Sequence, residues 1–355
     1  MLFEEPILQW LLQNGGFMDS QVFILNEKRN VTLTAYLQDD SQEFWRAKKR
    51  PAVVIFPGGA YAYCSDREAD PVAQEYLRAG YHAFVLRYSV GWENAVWPNP
   101  LEDYDQAMEL IAAHAKEWHL IPEKIAVIGF SAGGHLAACA ATMAKHRPAA
   151  AILAYPVILE GLAAICAKGA PGADKAVDSQ TCPCFIAATG TDTTVSAMNS
   201  LRFVEALYEN GISAELHLYA FGPHGFSTAR TSIADPAELC SRTLHWVEDS
   251  ISWLEDVFGA FTSGEMSSPR CPGRVRKDKD PYLSVDCLLA TIAGNQIAVE
   301  RLNQLILVEE TTQKWIAEQK ENLLTSEMTL RSALQFLNVP GEVIRKADEI
   351  LSEIP

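Results

Sequence analysis

Ser131 lies at the boundary between two stretches of different character, within the segment IAVIGFSAGGHLAA at 125–138. The apolar run before it is typical of a buried strand, and the alanine-rich run after it is typical of a buried helix. The residues G-F-S-A-G match G-x-S-x-G, in which the serine lies on a sharp strand-to-helix turn that exposes its hydroxyl. Small neighbours let backbone approach backbone there, and the free N–H groups of the helix start favour negative charge. We therefore predict that Ser131 is a nucleophile.

A serine nucleophile needs a base, and His224 is our candidate among the eight histidines of the chain. It lies in FGPHGFS at 221–227, where a strand ends and glycine and proline shape a loop around one imidazole. His135 is close to Ser131 in sequence but falls in the first turn of the helix that follows it. The remaining histidines lie in or beside predicted helices and strands: His82, His114, His119, His146, His217 and His245.

The base needs an acid to orient it, and we prefer Asp192 in AATGTDTTVSAMNS at 187–200. It follows a predicted strand directly, and it precedes His224, as the order serine, acid, histidine requires in chains with this kind of turn. An aspartate in a turn or at a helix N-cap is the structural alternative. The other candidate acids are Asp174 and Asp178, before that strand, and Asp235 and Glu238, after the histidine.

An oxyanion formed at Ser131 would need at least two backbone N–H donors. The turn itself offers the N–H of Ala132. The segment FPGGAY at 56–61 follows another predicted strand, and we predict donors at Gly59 and Ala60, because Pro57 has no N–H to offer.

These residues require strands and helices that alternate, and the chain from about 20 to 260 has that pattern. Strands separated by helices predict an α/β fold with a mostly parallel sheet covered by helices on both faces, with ligands bound at the carboxyl ends of the strands. The predicted strands are at 31–37, 51–59, 81–90, 124–130, 149–157, 182–190 and 213–222. The predicted helices are at 66–80, 100–118, 132–146, 196–211 and 238–259.

The C-terminal part of the chain has a different composition. Residues 261–281 are rich in Ser, Pro, Gly and charge and predict a linker, and residues 282–355 have helical spacing without a chemical motif. We therefore predict a catalytic domain at 20–260, a linker, and a small helical segment. Its apolar helix faces predict packing against a partner, most simply a second copy of the chain, because so short a segment buries little surface by itself.

Composition limits the classes of partner. The chain has 355 residues and a formal net charge of −16, which argues against nucleic acid and anionic membranes. No apolar run is long enough to cross a bilayer, and the N-terminus has no convincing secretory signal. The eight cysteines have no metal-ligand spacing and predict reduced thiols. We expect a cytoplasmic protein without a metal or other cofactor.

Taken together, these motifs resemble the α/β-hydrolase superfamily, and within it the bacterial esterases that include acetylxylan esterase-like and feruloyl-esterase-like proteins, related to the hormone-sensitive-lipase branch. The resemblance covers about 20–258 and rests on FPGGAYAYCSDRE, FVLRYSVG, KIAVIGFSAGGHLAA, AYPV, TGTDTTVSAMNS and GPHGFS. It implies Ser131 as nucleophile, His224 as base and Asp192 as orienting acid. Ala60 stands where related sequences usually have glycine, and alanine disfavours the positive φ that such a loop uses.

The resemblance implies a serine carboxylesterase that hydrolyses small acyl esters, plausibly acetyl groups on xylo-oligosaccharides. Two alternatives stay open at this point. One is a peptidase, amidase or other acyl hydrolase with the same three residues. The other is a non-catalytic hydrolase-fold scaffold whose helical tail binds a partner.

Overall fold

The computed structural model of the protein describes residues 18–38, 43–306 and 310–355. The N-terminal stretch, for which the sequence predicts no secretory signal, lies largely outside the described residues, as do 307–309 of the predicted C-terminal helices. The chain forms two compact units. Among the described residues, unit 1 comprises 18–38, 43–207 and 213–273, and unit 2 comprises 208–212, 274–306 and 310–355. The predicted linker at 261–281 is thus divided between the two units.

Unit 1 contains a sheet that has eight strands within the described residues. Its strands are β1 (Met18–Asn26), β2 (Val31–Gln38), β3 (Arg50–Phe56), β4 (His82–Arg87), β5 (Leu120–Phe130), β6 (Ala150–Ala154), β7 (Cys184–Thr189) and β8 (Ala214–Tyr219).

Helices connect most of these strands, and several more follow in unit 2. Those that begin in unit 1 are α1 (Asp70–Arg78), α2 (Asn99–His114), α3 (Ala132–Met143), α4 (Glu160–Cys166), α5 (Met198–Glu209) and α6 (Trp246–Phe258). Those of unit 2 are α7 (Leu289–Gly294), α8 (Gln296–Leu305), α9 (Glu310–Glu318), α10 (Lys320–Thr325), α11 (Leu330–Phe336) and α12 (Gly341–Leu351).

The strand order in the sheet is β1-β2-β4-β3-β5-β6-β7-β8. The β1–β2 and β2–β4 pairs are antiparallel, and every pair from β4 to β8 is parallel. This confirms the predicted α/β class with a mostly parallel sheet. The carboxyl ends of β3, β5, β6, β7 and β8 therefore lie along one edge of the sheet, in that order.

Burial follows the sequence patterns of the strands. β3 is buried at every residue, as expected of a central parallel strand, whereas β2 alternates between buried and half-buried residues. One large apolar cluster joins the central strands to α1 and α6 and includes Trp246 and Trp253. The central strands, which end in the loops that carry the predicted site residues, are thus held in a rigid apolar core.

Unit 2 has its own apolar core. Helices α7, α8, α11 and α12 contribute to a cluster that includes Ile292, Leu302, Leu334 and Leu351. Within the described ranges, no helix combines the length and the apolar character that a bilayer crossing would need.

Candidate active site

Ser131 occupies the turn between β5 and α3 with φ 52° and ψ −116°, a left-handed conformation that non-glycine residues rarely adopt. Two glycines make this turn possible by close approach. A Cβ added at Gly129 would lie 2.1 Å from the carbonyl oxygen of Gly133, and one added at Gly133 would lie 2.1 Å from that of Phe56. The glycines around the serine therefore let β5, α3 and the end of β3 meet without side chains between them.

The structure brings the three predicted residues of the site together. The hydroxyl of Ser131 lies 2.8 Å from His224 Nε2, and His224 Nδ1 lies 2.6 Å from Asp192 Oδ2. A carboxylate can only accept a hydrogen bond, so Nδ1 carries the proton and Nε2 is free to accept one from Ser131. The Asp192 side chain is 1% exposed and the His224 side chain 19% exposed, so solvent reaches the imidazole but not its carboxylate partner.

Asp192 is held as a carboxylate. Burial raises the pKa of its side chain, but the hydrogen bond from His224 and those from the backbone N–H groups of Val195 and Thr194 outweigh burial, so the pKa lies below its ordinary value. Asp192 thus has both of the roles that the sequence allowed. Its Oδ1 accepts the backbone hydrogen bonds of the turn, and its Oδ2 faces the imidazole of His224.

The candidate oxyanion loop, residues 57–62, passes directly beside the serine, because a Cβ added at Gly58 would lie 3.0 Å from Ser131 Cβ. Gly59 has φ 123° and Ala60 has φ 54°, so the loop adopts the positive φ that alanine disfavours. The N–H groups of Gly59, Ala60 and Ala132 donate no hydrogen bond to any residue that the structure describes. They remain candidate donors to an oxyanion.

Sequence reasoning missed two polar residues between the oxyanion loop and the histidine. Glu68 is buried in the turn before α1, and its Oε2 accepts the N–H of Gly58 at 2.8 Å. Tyr155 directly follows β6, and its hydroxyl donates to Glu68 Oε1 at 2.7 Å. Glu68 lies among charged residues in SDREAD and Tyr155 within AYPV, and neither has a spacing that marks it.

His135 forms a hydrogen bond with a residue of the candidate oxyanion loop. Its Nε2 lies 2.8 Å from the carbonyl oxygen of Pro171 and must donate, so Nδ1 accepts from the hydroxyl of Tyr61 at 2.9 Å. Burial lowers the pKa of His135 to about 4, although the bond to Pro171 opposes this shift. The imidazole is thus a neutral structural group that joins α3 to the oxyanion loop, in agreement with its predicted place on the helix.

A cavity of about 230 Å³ opens beside Ala60. Backbone bonds tie its walls together, from Gly91 N–H to the Tyr61 carbonyl at 2.8 Å and from Trp97 N–H to the Lys168 carbonyl at 3.0 Å. The lining is mostly apolar, with one cationic side chain, and consists of Ala60, Tyr61, Ala62, Gly91, Trp92, Ala95, Ile165, Cys166 and Lys168. Because this cavity lies next to Ala60, a candidate oxyanion donor, it is the candidate binding cavity for a ligand of this site.

Three of the other candidate acids and bases have structural partners elsewhere. Asp178 forms an ion pair with Arg147, and Asp235 caps a short 3-10 turn by accepting the N–H of Ala237. His82 is buried, and its Nε2 lies 2.8 Å from the carbonyl oxygen of Trp118. Among the described residues, no three His, Cys, Asp or Glu side chains cluster as the ligands of a metal ion would.

Comparison with known proteins identifies relatives of this chain. The BD-FAE family matches residues 43–157, which include the oxyanion loop and Ser131. The chain is 31% identical over 259 residues to endo-1,4-beta-xylanase B of Butyrivibrio fibrisolvens, covering 64% of this chain and 38% of the relative. It is 29% identical over 197 residues to acetylxylan esterase of Xylanibacter ruminicola, covering 49% and 41%. The chain thus spans about two fifths of the length of these curated relatives.

One solved structure matches this chain over nearly the whole of its own length. The α/β-hydrolase enzyme MGS-M1, from a Medee basin deep-sea metagenome library, is 42% identical with a TM-score of 0.61, and the match covers 68% of this chain and 98% of that one. The chain therefore belongs to the α/β-hydrolase family. Within that family, its resemblance to acetylxylan and feruloyl esterase-like proteins is supported by the BD-FAE match and by the acetylxylan esterase relative.

Proposed function

We propose that the protein is a serine carboxylesterase. The observation that carries the proposal is the continuous chain of hydrogen bonds from the Ser131 hydroxyl through His224 to Asp192, at 2.8 and 2.6 Å. In an apolar core, this arrangement activates a hydroxyl that would otherwise be a weak nucleophile. The arrangement also argues against a non-catalytic scaffold, because such a protein has no need for a strained serine beside a base.

In the proposed reaction, the Ser131 oxygen attacks the ester carbonyl carbon while its proton passes to His224 Nε2. The N–H groups of Gly59, Ala60 and Ala132 receive the negative charge that develops on the carbonyl oxygen. The tetrahedral intermediate then expels the alcohol, which takes the proton from His224, and an acyl–serine ester remains. Water loses a proton to His224, attacks this ester and releases the carboxylic acid, and His224 returns the proton to the serine.

The proposed substrate is a small acyl ester, and specifically an acetyl group on a xylo-oligosaccharide. The names of the two curated relatives support a xylan-derived alcohol, and one of them supports the acetyl group. The cavity of about 230 Å³ beside Ala60 limits the bound group to roughly a short acyl chain or a single sugar ring. At this cavity the Trp92 side chain is 87% exposed and presents a large flat apolar surface to which the C–H face of a sugar can bind.

A panel of p-nitrophenyl esters with acyl chains from two to eight carbons, together with acetylated xylo-oligosaccharides and matched anilides, tests the reaction class. We expect turnover of the acetyl esters, falling turnover with chain length, and little turnover of the anilides. Ser131→Ala serves as the blank. Preferred turnover of the anilides would make the protein an amidase, and absence of any Ser131-dependent hydrolysis would contradict the proposal.

Trp92→Ala tests the alcohol site separately. We expect KM for acetylated xylo-oligosaccharides to rise about tenfold, the loss of about 1.4 kcal/mol of binding, with p-nitrophenyl acetate unaffected. Trp45→Ala is the matched control, since Trp45 is also exposed, at 55%, but does not line the cavity. Equal effects of both variants would remove Trp92 from the substrate site.

A further inference from the structure

The oxyanion loop and the loop that carries the base are joined by a buried chain of hydrogen bonds. From Gly58 N–H the chain runs to Glu68 at 2.8 Å and from Glu68 to the Tyr155 hydroxyl at 2.7 Å. The Tyr155 oxygen in turn accepts the backbone N–H of Ser227 at 2.9 Å. Ser227 lies three residues after His224 in the histidine loop, residues 220–227.

The aromatic ring of Tyr155 is also in contact with the base itself. Its centroid lies 4.9 Å from that of the His224 imidazole, with the rings inclined at 70°, and 4.5 Å from that of Phe226. One side chain thus fixes the histidine loop in two ways, through a hydrogen bond of its hydroxyl with Ser227 and through contact of its ring with His224. Tyr155 has φ 38°, so the turn after β6 is itself held in an unusual conformation.

Two further contacts anchor this chain to the core. The Ser227 hydroxyl donates to the Arg67 carbonyl, and the Trp246 indole N–H donates to the Ser227 carbonyl at 2.8 Å. Glu68 is 3% exposed and Tyr155 is 1% exposed. Burial and then the charge of Glu68 raise the pKa of Tyr155 far above its ordinary value, so the phenol keeps its proton and donates to the carboxylate.

We propose that Glu68 and Tyr155 are positioning residues that hold the oxyanion donors and His224 in one fixed relation around Ser131. The proposal rests on the proposed esterase function, because it assigns the two loops to opposite sides of the same reacting carbonyl. A buried carboxylate is costly unless its oxygens are hydrogen-bonded, and here both oxygens are occupied by the two halves of the site. Displacement of either loop by about 1 Å is enough to lower a rate about 100-fold.

Tyr155→Phe removes only the hydroxyl of this chain, and Tyr76→Phe is its matched control. Tyr76 is also fully buried in the same apolar cluster, and its hydroxyl forms one buried hydrogen bond, with the Ser250 hydroxyl at 2.8 Å, where that of Tyr155 forms two. With p-nitrophenyl acetate, we expect Y155F to lower kcat about 10- to 100-fold with KM changed less than about threefold. Y76F should lose stability to a similar extent and keep kcat within about twofold.

The second measurement does not depend on catalysis. The proton on His224 Nδ1, shared with Asp192 at 2.6 Å, should give a low-field proton NMR signal in the wild type and in Y76F. We expect this signal to broaden or disappear in Y155F, because the imidazole loses its fixed orientation. If the wild type hydrolyses no ester, the esterase proposal falls while this signal still decides whether Tyr155 positions His224.

Glu68→Gln repeats the test from the other end of the chain and covers the case in which Y155F does not fold. Glutamine leaves one acceptor oxygen for two donors, so Gly58 or Tyr155 loses its partner. Glu75→Gln is the control, since Glu75 pairs with Arg230 away from the serine. A kcat for E68Q equal to that of E75Q, or an unchanged His224 signal in a folded Y155F, would overturn the proposal.

Discussion

The two units of this chain differ in what they bury. Most of the buried polar and charged side chains of the described residues belong to unit 1, including Glu68, Asp103, His135 and Asp192. In unit 2, the side chain of Asp278 is 6% exposed and pairs with Arg276. The core of unit 2 is built from aliphatic side chains and Cys287. All eight histidines of the sequence also lie in unit 1.

This difference has an energetic meaning. A buried polar group costs free energy unless it is fully hydrogen-bonded, whereas an apolar core stabilises by burial alone. Unit 1 therefore carries many buried polar groups whose hydrogen bonds must offset the cost of burial, and two of them, Glu68 and Asp192, lie at the candidate site. The core of unit 2 is typical of helices that pack against one another through apolar side chains and carry no chemistry. The predictions below test whether chemistry and titration are confined to unit 1.

The largest effect is expected at Ser131. Ser131→Ala should lower kcat on the order of 10⁶-fold, as loss of the serine does in subtilisin, because no other group replaces the nucleophile. Ser332→Ala in unit 2 should change kcat less than twofold. Mass spectrometry after treatment with a fluorophosphonate should find the label on Ser131. A label on a serine of unit 2 would show that the reactive serine lies in unit 2.

Asp192→Asn should lower kcat about 10⁴-fold with the fold intact, because the amide favours the wrong tautomer of His224. Asp178→Asn is the control, since Asp178 was an alternative acid in the sequence and its carboxylate pairs with Arg147 instead. Steady-state kinetics with p-nitrophenyl acetate measure both. Similar losses in the two variants would show that the effect comes from stability and not from the base.

Matched leucine truncations separate the stability of the units from activity. Leu351→Ala in α12 and Leu254→Ala in α6 each remove a fully buried side chain, and each should cost about 3–5 kcal/mol of unfolding free energy. We expect only L254A to lower the temperature at which ester hydrolysis is lost. Loss of hydrolysis at the same lowered temperature in L351A would mean that the units do not unfold independently.

Acid should destabilise unit 1 selectively. Burial lowers the pKa of both His82 and His135 to about 4, although the hydrogen bond of each to a backbone carbonyl, Trp118 or Pro171, opposes the shift. Between about pH 6.5, where an unfolded histidine titrates, and pH 4, the unfolded chain binds protons that the folded chain does not. Stability is therefore full above pH 6.5 and falls by about 1.4 kcal/mol per histidine per pH unit below it.

Urea unfolding at pH 7, 6 and 5 measures this slope. His82→Gln keeps an acceptor for Gln38 N–H and a donor for the Trp118 carbonyl, so it should make the slope shallower by one histidine. An unaltered slope in H82Q would mean that His82 is protonated in the folded protein.

The smallest effect on activity is expected from removal of most of unit 2. Truncation after Gly273 keeps all of unit 1, and kcat and KM should change less than about twofold. If the helices of unit 2 mediate self-association, as the sequence predicts, light scattering should give a lower mass per particle after truncation. If the full-length and truncated proteins both have the mass of a monomer, self-association is refuted. Loss of hydrolysis on truncation would refute the prediction that catalysis needs only unit 1.

Much of the candidate site could be predicted because its signals are local. The strand, the turn and the helix around Ser131 are contiguous in sequence, and the small residues that the turn needs are its neighbours. His224 and Asp192 were found because each directly follows a strand, and parallel strands place such residues at one edge. Alanine disfavours a positive φ, yet Ala60 adopts φ 54° in the loop. The surrounding backbone contacts decide the conformation of this residue.

The sequence by itself therefore determined the parallel sheet, the serine turn and the strand ends that carry the candidate acid and the candidate base. Only the tertiary structure decided that Glu68 and Tyr155 join the two sides of the site, because the two residues are 87 positions apart and Tyr155 is 72 from Ser227. Nothing in a local pattern distinguishes a buried carboxylate from a solvated one. That distinction depends on which hydrogen-bond partners the fold brings within 3 Å, and such partners come from distant strands.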